Sequence, residues 1–302
     1  MKKVSIIGAG NVGASAAMVL AESGICDIVL LDIDGDIAKG KALDISQALA
    51  ASGSNSKVIG TDDYSDIKDS SVIVITAGVA RKPGMTREEL LEINKKIASS
   101  ICKGIKKNSP DSIVVNVANP MDAITAYVFN ELKFSKSKII GMGGVLDGFR
   151  FVNKIKKYLS VNYDDITPMV VGMHGEKMVP VPEYTTISGV PLISMAEPEL
   201  IDKIVNETIN GGAEIVGYLK TGSAYYAPAQ AIKLMVESIL NDSGRILCCA
   251  VNLSGEYGYN DLFLGVPVQL GSIGVKQIIE LEFSSEIRKK FDIAANVAKK
   301  LI

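Results

Sequence analysis

Short apolar runs alternate with segments of helical periodicity along the first half of the chain. The apolar runs, each a predicted strand, lie at residues 4–8, 28–31, 72–77, 113–117 and 139–142. Apolar residues recur with helical spacing at residues 14–23, 37–51 and 87–107. Apolar strands separated by helices are typical of a parallel sheet that is covered by helices on both faces.

The second half of the chain has a different pattern. It predicts helices at residues 147–159, 200–219, 226–240 and 284–301. Strands bounded by Gly and Pro are predicted at residues 166–173, around Val179, and at 184–193, 248–255 and 265–271. The whole pattern therefore predicts an α/β protein in which a doubly wound parallel sheet, residues 1–144, precedes an α+β domain, residues 145–302.

The turn after the first predicted strand carries a GxGxxG motif at Gly8, Gly10 and Gly13. In a Rossmann fold the first glycine makes the tight turn, the second admits a pyrophosphate, and the third lets helix and strand pack closely. Asp32 follows Gly13 by 32 − 13 = 19 residues, where a carboxylate binds the ribose hydroxyls. Because a carboxylate repels a 2′-phosphate, the motif favours NAD over NADP.

The composition excludes several classes of protein. The chain has 302 residues, 47% of them hydrophobic and 22% charged, and a net charge of −2, so nothing favours nucleic acid or an anionic membrane as partner. An uncharged run at residues 4–21 superficially resembles a signal peptide, but Asn11 and three glycines interrupt it. The four cysteines lack CxxC spacing and indicate a reducing compartment. We therefore expect a soluble, cytoplasmic protein.

Arginine is scarce, and three of the five arginines lie in segments that suggest ligand binding. Arg81 and Arg87 flank Pro83 and Gly84 in the segment between the third apolar run and the next helix. A guanidinium group binds a carboxylate through two parallel hydrogen bonds, whereas lysine is a point charge. A segment with Pro and Gly is suited to close over a ligand. The alternative is that both arginines are simply solvated at the start of a helix.

The chain contains a single histidine, His174, in an apolar stretch. The unperturbed pKa of an imidazole lies near neutral pH, so this residue is the candidate for proton transfer, although a buried structural histidine is the commoner case. Asp147 and Arg150 would share one face of a helix, where Asp147 could orient the imidazole and Arg150 could bind a carboxylate. Asn119 follows the fourth apolar run, where polar residues face a ligand crevice. A local ion pair and a turn asparagine are the alternatives for these motifs.

Together these motifs resemble the malate/lactate dehydrogenase family over nearly the whole chain. The glycine motif, the order and spacing of Asp147, Arg150 and His174, and residues 222–228 carry the resemblance. It implies a Rossmann domain followed by a catalytic domain, NAD as the cofactor, and no metal. The activity that it implies is hydride transfer between NAD and a 2-hydroxy acid.

The resemblance also implies a role for each site residue. His174 would exchange a proton with the substrate oxygen, and Asp147 would pair with it. Arg150 would bind the C1 carboxylate and Arg87 would polarise the reacting carbonyl, within a substrate-binding set of Arg81, Arg87, Asn119, Arg150 and Ser223. The implied cofactor-binding set is Gly8, Gly10, Asn11, Val12, Gly13, Asp32, Asn94, Val117 and Asn119. A cis peptide bond is implied before Pro120.

Arg81 is the residue expected to select the substrate. In this respect the chain resembles the malate-specific enzymes of the family, in which an arginine at this position meets the second carboxylate of oxaloacetate. Lactate-specific enzymes usually have Gln at the same position. Pyruvate would leave this guanidinium unpaired, which is costly in a closed site. The segment 81–87 therefore resembles the lactate-dehydrogenase-like branch of the malate dehydrogenases and implies interconversion of (S)-malate and oxaloacetate.

Three alternatives remain at the level of sequence. A lactate or other 2-hydroxy-acid dehydrogenase would share the scaffold, and a non-catalytic NAD sensor would retain only the glycine motif. An NAD- and metal-dependent glycosidase is disfavoured because one histidine without a neighbouring cysteine supplies no soft-metal site. The expected partners are a dicarboxylate substrate and a second copy of the chain, as homodimer or homotetramer, with the apolar face of residues 37–51 as a candidate interface.

Overall fold

The computed structural model describes residues 1–79 and 84–301, and the chain forms two compact units. Unit 1 comprises Met1–Met142, Tyr225–Arg245 and Leu270–Lys276; unit 2 comprises Gly143–Ala224, Ile246–Gln269 and Gln277–Ile302. Unit 1 thus includes two segments from late in the chain. The division into an NAD-binding domain, 1–144, and a substrate domain, 145–302, stays a prediction about function.

Eight α-helices and fourteen strands are found in the described residues. The helices are α1 (Asn11–Glu22), α2 (Gly35–Ser52), α3 (Arg87–Asn108), α4 (Met121–Leu132), α5 (Gly144–Leu159), α6 (Pro198–Leu219), α7 (Tyr226–Leu240) and α8 (Ser285–Lys299). The strands are β1 (Lys2–Ile7), β2 (Cys26–Leu31), β3 (Val58–Thr61), β4 (Val72–Ile75), β5 (Ile113–Asn116), β6 (Ile139–Gly141), β7 (Ile166–Thr167), β8 (Val170–Gly172), β9 (Met178–Pro180), β10 (Thr186–Ile187), β11 (Val190–Pro191), β12 (Ile246–Ser254), β13 (Asn260–Gly271) and β14 (Gly274–Ile278).

Unit 1 is built on a parallel sheet with the strand order β3-β2-β1-β4-β5-β6. The chain winds from β1 outwards to β3 on one side and from β4 outwards to β6 on the other. The strand order therefore reverses between β1 and β4, and ligands of doubly wound sheets bind outside the carboxyl ends at such a point. The predicted α/β class and doubly wound sheet are confirmed.

Helices cover this sheet and pack on each other. α2 packs on β3, α1 on β2, and α7 on α1. α2 begins at an N-cap, Asp34, whose carboxylate accepts a hydrogen bond from the backbone N–H of Ile37. α3 begins with a capping box in which the side chains of Thr86 and Glu89 each accept from the other's backbone N–H. These caps fix where each helix starts relative to the strand before it.

Unit 2 contains two groups of antiparallel strands and the helices α5, α6 and α8. One group has the order β12-β13-β8-β9, and the other is a three-stranded sheet with the order β11-β10-β7. The faces of α5 and α6 that meet are apolar and form a common core with the sheet residues: Phe151, Ile155, Ile166, Val170, Met178, Ile187, Leu192, Ile201 and Ile204. This core fixes α5, which carries two of the predicted catalytic residues. The predicted α+β class of this half is confirmed.

Several elements differ from the sequence prediction. The predicted strand at 184–193 contains two short strands, β10 and β11, and strand β14 was not predicted. The predicted single strand at 166–173 is two strands, β7 and β8, which belong to different sheets and are separated at Pro168, which has no N–H to donate. Helix α4 was not predicted because most of its residues are buried, so no polar stripe marks a helical period. Strand β3 was missed because it is short, half-exposed and contains Gly60.

The described residues contain no helix long and apolar enough to cross a membrane. The four cysteines are free thiols, all buried, and Cys248 and Cys249 do not form a disulfide. Burial raises the pKa of Cys26, Cys102 and Cys248 to about 12. They therefore act as small apolar side chains in the core.

Candidate active site

The glycine turn between β1 and α1 is constrained on both sides. Gly8 has φ +112°, and a Cβ there would lie 2.6 Å from the backbone nitrogen of Ala77. A Cβ on Gly13 would lie 1.8 Å from the carbonyl oxygen of Gly8, so any residue with a Cβ would clash there. The turn and the close approach of α1 to β1 thus require glycine at both positions.

Gly10 is different, because no atom of the described residues lies within 4 Å of the place a Cβ would take. Gly10 is the residue that precedes α1, so this open space lies at the positive end of the helix dipole. A pyrophosphate fits this position, since the backbone N–H groups of the first helical turn are the donors that it binds. Asn11 and Val12 are the first two residues of α1.

Asp32 lies directly after β2, beside the glycine turn. Its Oδ2 accepts a hydrogen bond from the backbone N–H of Ala9 at 2.6 Å, and its Oδ1 accepts one from the N–H of Asp34 at 3.1 Å. The carboxylate is therefore held in place before any ligand binds. Its charge and position fit a ribose diol and oppose a 2′-phosphate, so the residues of this turn fit NAD.

Two contacts to the glycine turn were missed in the sequence. The Thr76 hydroxyl, at the carboxyl end of β4, donates to the carbonyl of Gly8 at 2.9 Å. The Lys41 ammonium group on α2 donates to the carbonyl of Ala9 at 2.6 Å. The sequence could have indicated Thr76, because polar residues at the carboxyl ends of parallel strands face the ligand. No local pattern indicates the contact of Lys41, because that contact depends on how α2 packs.

Asn94 on α3 joins two segments at the carboxyl ends of β4 and β5. Its Nδ2 donates to the carbonyl of Asn119 at 2.6 Å and to that of Val79 at 3.2 Å. Its Oδ1 accepts from the N–H of Val79 at 2.9 Å. The side chain is 2% exposed, so these bonds are made away from bulk water. Asn94 therefore links Val79 to Asn119, with two hydrogen bonds to the first and one to the second.

The two asparagines around β5 have different environments. Asn116 is fully buried, and its Nδ2 donates to Thr125 Oγ1 at 2.9 Å and to the carbonyls of Ala118 and Met121. Asn119 is exposed and precedes Pro120 through a cis peptide bond, as the resemblance implied. Asn116 thus braces the turn, while Asn119 is available to a ligand. Val117, also in the predicted cofactor set, is buried and donates its N–H to the carbonyl of Ile75.

In unit 2 the predicted catalytic residues meet around one carboxylate. Asp147 Oδ2 lies 2.8 Å from His174 Nδ1, and Asp147 Oδ1 accepts a hydrogen bond from Arg150 NH1 at 2.8 Å. The Asp147 side chain is 1% exposed, whereas those of Arg150 and His174 are each 15% exposed. A buried carboxylate needs such partners, because an unpaired one would carry a large desolvation cost.

The backbone explains why these three residues meet. Asp147 lies in the first turn of α5 and Arg150 one turn later, so both project from the same face of the helix. His174 lies in the turn between β8 and β9, which pair antiparallel from Val170 opposite Pro180 to Gly172 opposite Met178. The buried face of α5 packs on β8 and β9, which holds the turn beside the helix.

Arg150 keeps part of its hydrogen-bonding capacity. Its Nε is buried and has no hydrogen-bond partner among the residues that the structure describes. A guanidinium group has five N–H donors in a planar fork, and Asp147 accepts from NH1 only. The remaining donors suit a planar anion such as a carboxylate.

The structure describes less of the other residues predicted to bind the substrate. Arg81 lies outside the described residues. Arg87 is described only through its backbone, as the first residue of α3. Ser223 is exposed in the segment between α6 and α7, after Gly222. The roles predicted for these three residues stay predictions. No group of three or more His, Cys, Asp or Glu suited to a metal ion is found in the described part of the chain.

The fold and these two sets of residues define an oxidoreductase that binds a dinucleotide. Residues 2–141 match the lactate/malate dehydrogenase NAD binding domain, and residues 144–302 match the lactate/malate dehydrogenase alpha/beta C-terminal domain. The chain therefore belongs to the lactate/malate dehydrogenase family, whose cofactor is NAD.

Relatives of known name agree with this assignment. A malate dehydrogenase of Bacillus cereus is 48% identical over 307 residues, which cover 100% of this chain and 98% of the relative. The apo structure of malate dehydrogenase from Picrophilus torridus matches with TM-score 0.95 and 42% identity, over 99% of this chain and 96% of that one. The lactate dehydrogenase of Cryptosporidium parvum, solved with lactic acid and β-nicotinamide adenine dinucleotide, matches with TM-score 0.96 and 37% identity, over 99% and 96%.

Proposed function

We propose that this chain is an NAD-dependent malate dehydrogenase that interconverts (S)-malate and oxaloacetate. The observation that carries the proposal is the buried Asp147 carboxylate, which bonds His174 through one oxygen and Arg150 through the other. A proton-transfer group and a carboxylate-binding group held by one anchor are what the reduction of a 2-oxo acid requires. The family and the similarity to named malate dehydrogenases support the assignment.

In this mechanism each group of unit 2 has one task. The ionised Asp147 only accepts hydrogen bonds, so His174 Nδ1 carries a proton and Nε2 exchanges the catalytic proton with the substrate oxygen. Asp147 stabilises the imidazolium form, which is the form that gives a proton to oxaloacetate. Arg150 binds the C1 carboxylate through the donors that Asp147 leaves unused. Arg87 polarises the carbonyl and Ser223 lines the substrate pocket.

The residues of unit 1 hold the cofactor in this proposal. The glycine turn and the start of α1 bind the pyrophosphate, Asp32 binds the ribose hydroxyls, and Asn94, Val117 and Asn119 complete the contacts, with Asn119 also contacting the substrate. When bound, the nicotinamide supplies or accepts the hydride at substrate C2.

Arg81 makes the choice between malate and lactate chemistry. A guanidinium group facing the second carboxylate of oxaloacetate forms a charge-assisted pair. Pyruvate offers only a methyl group there and leaves the charge without a partner. The proposal therefore predicts that oxaloacetate is much the better substrate, on the order of 10⁴-fold in kcat/KM, the range reached when a polar group would otherwise be left unpaired.

The direct test follows the loss of NADH absorbance with oxaloacetate and, separately, with pyruvate. The matched control is His174→Asn, which keeps a polar side chain of similar size but cannot transfer a proton. We expect the variant to lose turnover by roughly 10²–10⁴-fold while its affinity for NADH, measured by fluorescence, stays nearly unchanged. Preference for pyruvate would move the assignment to a lactate dehydrogenase, and binding of NADH without turnover in the unmodified protein would indicate a non-catalytic sensor.

We further propose that residues 1–144 act as the NAD-binding domain and residues 145–302 as the substrate domain. The two family matches, which end at residue 141 and begin at residue 144, support this division. Hydrogen exchange with and without NADH tests it. Protection confined to 1–144 agrees with the proposal, whereas equal protection in both regions would contradict it.

Self-association through α2 is also proposed. Two large apolar side chains on this helix, Ile37 and Leu43, are 49% and 61% exposed. A second copy of the chain would cover them in a homodimer or homotetramer. Leu43→Glu is expected to lower the mass measured by light scattering after gel filtration. An unchanged mass, or a monomeric parent protein, would contradict the proposal.

We also propose a cytoplasmic location, which the four free thiols support because they suit a reducing compartment. Cell fractionation with an antibody against the chain tests it, and recovery in an extracellular fraction would contradict it.

A further inference from the structure

The guanidinium group of Arg150 lies against the backbone of α6 at two consecutive glycines, Gly211 and Gly212. A Cβ on Gly212 would lie 3.2 Å from NH2, 3.3 Å from Cζ and 3.4 Å from NH1 of Arg150. A Cβ on Gly211 would meet only the aliphatic part of the same side chain, at 3.7 Å from Cδ. The charged end of Arg150 therefore occupies space that exists because residue 212 has no side chain.

We infer that Gly212 is a positioning residue for the substrate carboxylate, because its missing Cβ leaves the slot in which the Arg150 guanidinium lies. This inference rests on the proposed role of Arg150 as the carboxylate anchor. Glycine is a poor choice in a helix interior, since it loses more backbone freedom than alanine on folding. Its presence at this position of α6 is thus explained by the space that Arg150 needs and not by helix formation.

The other contacts between α5 and α6 prevent α6 from moving away from Arg150. Phe151 and Ile155 of α5 pack with Ile201 and Ile204 of α6 in one buried core. Beyond this core, Lys154 of α5 forms ion pairs with two glutamates of α6, at 3.4 Å and 3.1 Å. If a methyl group were added at residue 212, the guanidinium would therefore be the part that moves.

A shift of the guanidinium by a few tenths of an ångström would be cheap for folding, because it is the end of a flexible side chain. It would be costly for binding. NH1 is 2.8 Å from Asp147 Oδ1, so the shift would strain this bond, and Asp147 also holds His174. The N–H donors of the guanidinium would no longer align with the oxygens of the substrate carboxylate. Small misplacements of such groups have large effects on rate.

The experiment compares Gly212→Ala with Gly211→Ala and Gly217→Ala in the same helix. A Cβ on Gly217 meets nothing within 4 Å among the described residues, so this variant controls for the change in helix propensity. We expect kcat/KM for oxaloacetate to fall roughly tenfold in Gly212→Ala, mainly through KM. The change should be smaller in Gly211→Ala and absent in Gly217→Ala. NADH affinity should not change, and the melting temperature should stay the same or rise.

Arg150→Lys, alone and combined with Gly212→Ala, separates this inference from the proposed function. With the planar fork removed, Gly212→Ala should have no further effect, so the two changes should be non-additive. Unchanged kcat/KM in Arg150→Lys would overturn the proposed role of Arg150. A large loss in Arg150→Lys together with equal activity in Gly212→Ala and Gly217→Ala would overturn the role of Gly212. Unfolding of Gly212→Ala, seen by circular dichroism, would also overturn it, because the inference requires that folding is hardly affected.

Discussion

Asp147 Oδ2 lies 2.8 Å from His174 Nδ1, although the two residues are 27 positions apart in the chain. The same carboxylate bonds Arg150 through its other oxygen and is almost completely buried. One anion therefore fixes both the proposed proton-transfer group, His174, and the proposed carboxylate-binding group, Arg150. A disturbance of Asp147 should affect binding and chemistry together.

Replacement of Asp147 by asparagine should show this double effect. The amide keeps the shape of the side chain but has only one acceptor oxygen, so either His174 or Arg150 would face an N–H donor. We expect kcat with oxaloacetate to fall by roughly 10²–10⁴-fold, with an increase in KM. Steady-state kinetics measure both parameters, and Asp164→Asn, an exposed carboxylate in the same unit, is the control. A change in KM alone would argue against a link to His174.

The substrate choice should change when Arg81 is replaced by glutamine. The variant loses the charge proposed to meet the second carboxylate, so kcat/KM should fall for oxaloacetate and rise for pyruvate. Both substrates are assayed with NADH, and the ratio of the two kcat/KM values is the readout. If neither value changes, Arg81 does not select the substrate.

The preference for NADH over NADPH should depend on the charge of Asp32. In Asp32→Asn the repulsion of a 2′-phosphate is removed and the size of the side chain is kept. The amide can accept only one of the two backbone hydrogen bonds that Asp32 accepts, and the ratio between the cofactors is the readout because this loss affects both. We expect the ratio of kcat/KM values for the two cofactors to shift towards NADPH by roughly tenfold or more, about 1.4 kcal/mol. Asp36→Asn in the first turn of α2 is the control for the change of one charge in this region. An equal shift in the control would show a general effect of charge.

Acid stability should depend in part on Glu207. Hydrogen bonds from Tyr158 and Lys157 lower the pKa of the Glu207 carboxyl from 4.5 to about 2. Because the pKa is lower in the folded protein than in the unfolded chain, this group stabilises the fold above about pH 5 and progressively less as the pH falls towards 2. The side chain is partly exposed to solvent, so the effect should be modest.

Thermal unfolding from pH 7 to pH 2 measures this contribution. The melting temperature of Glu207→Gln should be lower than that of the parent protein at neutral pH, and the difference should shrink as the pH falls. Glu199→Gln, an exposed residue in the first turn of the same helix, should show no such trend. A constant difference over the whole pH range would contradict the role of the carboxylate.

The features that could be predicted from the sequence depend on local patterns. The glycine turn, the carboxylate at Asp32 and helix α7 follow from motif spacing and from apolar periodicity. The meeting of Asp147, Arg150 and His174 followed from the family resemblance, since the helix alone placed only the first two together. Spacing within a helix or a turn is set by backbone geometry, and this is why such predictions hold.

The features that could not be predicted depend on packing between distant segments. The bonds from Thr76 and Lys41 to the glycine turn exist only because β4 and α2 come to lie beside it. The slot at Gly212 likewise depends on how α6 packs on α5. The sequence shows a glycine within a helix but does not show which side chain fills the space beside it. The bonds from Asn94 to Val79 and Asn119 also needed the packing of α3 to be known.

Asn94 also bears on how this enzyme could acquire new specificity. Val79 is tied to α3 by two hydrogen bonds, and Thr86 is tied by the capping box at the start of the same helix. Val79 and Thr86, which precede and follow Arg81 in the sequence, are therefore both bonded to the same helix. If Arg81 selects the substrate, as proposed, a change of specificity needs no substitution in the sheet or in the glycine turn, which are other parts of the chain. Under that proposal, evolution could exchange the substrate of this protein by changing one short segment and keeping the rest of the fold.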